Sequence, residues 1–127
     1  MTTELLCEMN NASKNSGTEF ILFSLTHAIQ VDEEMFKELE ERHPDMALGT
    51  DVLDKRLAAF SRHEGIAYVS SLSAMRELRA SGKFAHLSCD GHWSRDAHRR
   101  VAELLVDYLI SGKHICTPRC SQHLAVP

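Results

Sequence analysis

The sequence predicts a mixed α/β domain built on short parallel strands, and three observations carry that expectation. Residues 19–25 (Glu-Phe-Ile-Leu-Phe-Ser-Leu) form a short, nearly continuous apolar run, the pattern of a strand covered on both faces. Ile66-Ala67-Tyr68-Val69 is a second such run, and the residues between the two carry helical signals. Strands joined by helical crossover material pair in parallel. The third observation is the stretch from Arg99 to Ile110, in which Val101, Leu104, Leu105, Tyr108 and Leu109 recur at helical spacing and make one apolar face.

Taken from the N-terminus, residues 2–13 predict a helix with Leu5, Leu6 and Met9 on one side, ended by the Asn-rich segment that closes on Gly17. The strand 19–25 follows, and Thr26 to Val31 leaves its end as a loop. Strand ends in open α/β sheets face the ligand crevice at their carboxyl edge, which makes His27 a candidate for lining a pocket. A helix over 32–43 stops at Pro44, because the residue before a proline avoids the helical region. Thr50 or Asp51 caps the next helix, which runs to Glu64 with Val52, Leu53, Leu57 and Phe60 apolar and Gly65 as its stop. After the strand 66–69, Ser71 or Ser73 opens a short helix that ends at Ser81-Gly82. A loop with Phe84, His86 and Leu87 leads to the last helix, for which Ser94 is a good N-cap and Gly112 a good stop.

A chain of 127 residues suffices for one domain with a modest core. The net charge of −4, with basic residues dispersed, gives no reason to expect nucleic acid or an anionic membrane as partner. Aromatic content of 6% argues against a stacking platform for single strands. No stretch approaches the roughly 20 apolar residues of a membrane span, and no basic region precedes an apolar core at the N-terminus. Cys7, Cys89, Cys116 and Cys120 are widely spread, as reduced thiols are, so a cytoplasmic location is expected. There is no internal repeat, Gly-rich phosphate loop, HExxH or CxxC, and no cofactor is expected. Residues 113–127 read as a flexible tail. Its His114, Cys116, Cys120 and His123 are crowded together without finger spacing, so no metal site is expected either.

The chemistry-bearing stretch is 89–98, Cys-Asp-Gly-His-Trp-Ser-Arg-Asp-Ala-His. Asp90 and His92 are two apart, and in an extended or turn backbone such side chains project to the same side. Gly91 between them permits a backbone conformation closed to other residues. An acid beside an imidazole, on a loop held by a packed helix, is a setting in which catalytic groups are often found. Taken alone, the tripeptide also fits a plain turn in which Asp90 accepts backbone N–H bonds. Trp93, beside His92 in a chain with few aromatics, is the candidate substrate platform.

Asp90-Gly91-His92-Trp93-Ser94, then Ala97-His98 and Val101-Ala102-Glu103-Leu104-Leu105, resemble the last motif block of the SGNH (GDSL-like) hydrolases. That block reads roughly Asp-Gly-His-Trp-Asn, two residues, Gly-His, then an apolar helix containing Val-Ala-Glu-Leu-Leu. Ser94 replaces the usual Asn and Ala97 the usual Gly. The Asp-x-His spacing is similar to the branch that includes carbohydrate O-acyl esterases and alginate-type O-acetyltransferases. The order of upstream elements is similar to that family's C-terminal half, so the likeness spans residues 4–112 and is motif-specific over 89–105. It implies the C-terminal half of a three-layer α/β/α, flavodoxin-like SGNH domain over residues 1–112. It also implies the catalytic roles of general base for His92 and orienting acid for Asp90.

The family's nucleophile is the serine of a Gly-Asp-Ser block at the start of the domain. No serine here stands in a Gly-Asp-Ser or Gly-x-Ser-x-Gly context. The expectation is therefore the C-terminal segment of an ester hydrolase or O-acyltransferase, inactive alone, whose substrate is an ester such as an O-acylated carbohydrate. Two strands cannot bury Phe20 to Phe23 on both faces and both edges, so self-association or pairing with a missing N-terminal segment is expected. The alternative is a non-catalytic α/β interaction module that pairs through its exposed sheet edge.

Overall fold

A computed structural model of the chain describes residues 2–88 and 90–112. The expected tail 113–127, with its His and Cys set, and Cys89 lie outside the described residues. The elements are α1 (Thr2–Asn15), β1 (Ile21–Ser24), a 3-10 turn (Ala28–Gln30), α2 (Glu33–Arg42), α3 (Val52–Glu64), β2 (Ala67–Ser70), α4 (Leu72–Ala80) and α5 (Arg95–Ser111). The fold is mixed α/β. β1 and β2 pair in parallel, with Ile21 opposite Ala67 and Ser24 opposite Ser70. No helix among the described residues is long and apolar enough to cross a membrane.

Local chemistry sets most boundaries. The Asp32 carboxylate accepts the Met35 N–H and starts α2, and His43, ahead of Pro44, ends it. Gly65 takes φ 62, the left-handed conformation that stops α3 at no steric cost. Ser94 Oγ accepts the Ala97 N–H at 3.1 Å and starts α5. Ser71 stands where a cap for α4 was expected but makes no capping bond. Its fully buried hydroxyl accepts the Thr26 N–H at 3.0 Å and donates to the Ser24 carbonyl at 3.0 Å, which ties the carboxyl ends of the two strands together.

The strands are shorter than the apolar runs that predicted them. β1 uses the middle of 19–25, and β2 is displaced by one residue from 66–69, with Ile66 buried ahead of it. One face of the sheet meets α4 and α5, where Phe23 and Val31 pack on a buried cluster of Met75, Leu78, Ala85, Ala97 and Val101. The other face presents Ser24, Tyr68 and Ser70 to Asp54 of α3. With so little sheet to cover, α3 leaves Val52 and Leu53 exposed, and its apolar positions are not the buried face that their spacing predicted. Phe20, Ile21, Leu22 and Phe23 are all only half-buried. Gly112 closes α5 at φ −74, so its special conformational freedom is not used there.

Candidate functional site

Asp90 and His92 sit on a tight loop between α4 and α5, at the carboxyl end of β1. Its stem is an antiparallel bridge between His86 and Trp93. Inside it, the Leu87 N–H donates to the His92 carbonyl at 2.7 Å and the Gly91 N–H to the Leu87 carbonyl at 3.0 Å. Gly91 takes φ 72, a conformation in which a side chain is strained, so the close return of this loop needs glycine there. Below the stem, the Ser94 N–H donates to the Ala85 carbonyl at 2.9 Å, and the Ser94 hydroxyl donates to the Phe84 carbonyl while capping α5.

Two side chains of the loop bond to one atom at the strand end. The Thr26 carbonyl, two residues past β1, accepts from His86 Nε2 at 3.0 Å and from Trp93 Nε1 at 3.1 Å. A carbonyl oxygen only accepts, so the His86 proton must lie on Nε2. The two residues that close the stem therefore share one acceptor at the strand end.

Asp90 divides its carboxylate between two tasks. Oδ1 accepts the His92 backbone N–H at 3.0 Å, which is the turn the tripeptide suggested. Oδ2 lies 3.0 Å from His92 Nδ1. The turn and the acid–imidazole pair thus coexist in the same residues. With Nδ1 carrying the proton that Asp90 accepts, Nε2 of a neutral His92 is the basic nitrogen. The His92 side chain is 79% exposed and Asp90 49%, so the basic nitrogen is open to a reactant from solvent.

Trp93 is half-buried against the α4–α5 core, with its N–H committed to Thr26 and its ring 5.6 Å from His98, edge-on. His27 lies at the same strand end and is exposed. Its Nδ1 accepts the Ile29 N–H and its own N–H donates to Gln30 Oε1, so it caps the 3-10 turn. Among the described residues no three or more His, Cys, Asp or Glu side chains gather to hold a metal ion.

A polar cluster on the α3 side of the sheet escaped the sequence reading. Asp54 Oδ1 accepts from the Ser24, Tyr68 and Ser70 hydroxyls, and Oδ2 accepts from Gln30 Nε2 at 3.1 Å. Burial raises the Tyr68 phenol above its ordinary value, and the Asp54 carboxylate adds to the rise. Ser24 is thereby held by Asp54 and Tyr68 within the fold. The only advance signal was three polar side chains inside or beside two apolar strands.

Two concavities flank this end of the molecule. The larger, about 870 Å³, lies between α2 and α4 and is walled by charged residues such as Glu33, Lys37 and Arg76. The smaller, about 250 Å³, lies beside the loop that carries Asp90 and His92 and includes Leu87, Ser88 and Gly91 of that loop in its wall. Of the two, the second adjoins the dyad loop. No family model, no curated protein and no solved structure matches the chain.

Proposed function

We propose that this chain is the C-terminal segment of an SGNH-type ester hydrolase or O-acyltransferase and supplies the Asp90–His92 part of a Ser-His-Asp triad. The observation that carries the reading is the 3.0 Å pairing of Asp90 Oδ2 with His92 Nδ1 on an exposed loop at a strand's carboxyl end, directly ahead of a capped helix. A serine from a Gly-Asp-Ser segment outside residues 1–127 is the nucleophile. His92 Nε2 removes the serine proton as the hydroxyl attacks the ester carbonyl, and Asp90 holds the tautomer and steadies the imidazolium. The proton then passes to the departing alcohol. Water completes hydrolysis of the acyl-serine; a second alcohol completes transfer.

The half-buried strand residues 20–23 and Leu25, 66% exposed just beyond β1, fit a sheet that another segment completes. The same surface supports the second reading, an interaction module without catalysis. The coding sequence upstream of Met1 separates them. An in-frame Gly-Asp-Ser block, and aryl-ester turnover by the joined polypeptide but not by residues 1–127, is the expected result. No such block upstream, or turnover by residues 1–127 alone, overturns the proposal.

A further inference from the structure

Three exposed apolar side chains near the dyad loop line one small pocket. Phe84 is 69% exposed, Leu87 45% and Met35 44%, and all three line the 250 Å³ concavity with Ala28, Val31 and Gly91. Scattered exposed apolar residues are ordinary on a protein surface, but a set converging on a concavity is the mark of a binding site. Here the concavity shares its wall with the loop that carries the acid–imidazole pair.

We infer that this pocket takes the short aliphatic acyl chain of the ester, an inference that rests on the esterase reading of the dyad. Its size is just below the roughly 300 Å³ at which pockets for drug-sized ligands begin, so a chain of a few carbons fits and a fused ring system does not. Of its polar wall residues, Asp32 and Arg79 pair with each other and His86 Nε2 is committed to the Thr26 carbonyl, which leaves Ser88 as the main partner for a sugar hydroxyl, so the pocket takes the acyl half of the ester and not a carbohydrate alcohol.

The rim is built in advance. Asp32 caps α2 with Oδ1 and meets Arg79 of α4 through Oδ2 at 3.5 Å. The Arg79 guanidinium lies 5.3 Å from the centre of the Phe84 ring. α2, α4 and the loop are thus joined around the opening, and little ordering is left for the ligand to bring about.

The test uses the full chain and neutral methyl esters of increasing length, methyl acetate, methyl butanoate and methyl hexanoate, titrated by amide and methyl NMR. Each added methylene buried in the pocket is expected to tighten binding about fourfold. Shifts should centre on Leu87, Gly91 and Met35. Met35→Trp fills the pocket from an exposed helix position and should abolish the dependence on length; Leu87→Asn, a change in a loop, should weaken it should the first variant fold poorly. Affinity blind to acyl length, or shifts confined to the charged α2–α4 groove, overturn the inference. Length-dependent binding with no Asp90-dependent turnover in the joined polypeptide sinks the esterase reading and leaves an aliphatic-chain site. Asp90-dependent turnover that ignores acyl length and Met35→Trp sinks the pocket and leaves the esterase reading.

Discussion

Replacing His86 by Leu and Trp93 by Phe, singly and together, tests how the dyad loop is held. Both side chains donate to the Thr26 carbonyl, and Thr26 is 4% exposed. Either single change removes one bond worth about 0.5–1.5 kcal/mol, and the carbonyl keeps its other donor. Trp93→Phe also loses some packing against the α4–α5 core, a loss common to the single and the double variant. In the double variant the carbonyl has no donor, and an unsatisfied buried acceptor costs a further 1–3 kcal/mol, approximately. The double variant should therefore exceed the sum of the singles by about 1–3 kcal/mol. Urea unfolding followed by far-ultraviolet circular dichroism measures the four free energies. Amide exchange at Leu87 and Ser94, whose N–H groups bond within and below the stem, should accelerate most in the double variant. Costs that add to within about 0.5 kcal/mol, the usual limit for independent sites, would refute the shared-acceptor argument.

Asp54→Ala removes the acceptor of three hydroxyls and an amide and should lower unfolding free energy by about 2–4 kcal/mol, with Asp54→Asn losing less; urea titration checks both. The raised Tyr68 pKa means that its stabilising effect is complete below the unfolded phenol value of about 10 and is lost as pH rises through the higher folded value. Tyr68→Phe should flatten that alkaline fall in a thermal-melt series. Glu64 is the opposite case. His63 first, and the Cys7 thiol of α1 second, hold its carboxyl below the usual range. Its contribution is present above the unfolded value of about 4.3 and lost as pH falls through the lower folded one, so Glu64→Gln should flatten the acid side of the same series.

Where order in the chain is local, it was legible in the sequence. Ser94 capping α5, Asp32 starting α2 ahead of Pro44, and Gly65 stopping α3 all follow from residues within one helical turn. Parallel pairing of the strands follows from the helical connection between them. The proximity of Asp90 to His92 follows from i, i+2 spacing and Gly91. Polar partners far apart in sequence were not legible. Trp93 and Thr26 are 67 residues apart and Ser71 and Ser24 are 47 apart, and no period or motif joins them. Ser71 looked like a helix cap because Ser before an apolar helix usually is one; the strand ends took its hydroxyl first. The small pocket was invisible for the same reason. It is assembled from α2, α4 and the loop, and none of its apolar residues departs from what a core face would contain.

The claim that Asp90 and His92 are a working acid–base pair is tested most directly by ester turnover of the polypeptide that joins residues 1–127 to an upstream Gly-Asp-Ser segment. Asp90→Asn should keep the fold and the turn bond from Oδ1 to the His92 N–H, yet free the imidazole tautomer and cut turnover by up to about 10⁴-fold, as in other triads. His92→Ala should cost at least as much. Equal rates for the parent and both variants, each folded by circular dichroism, would contradict the account and leave Asp90–His92 as a structural turn.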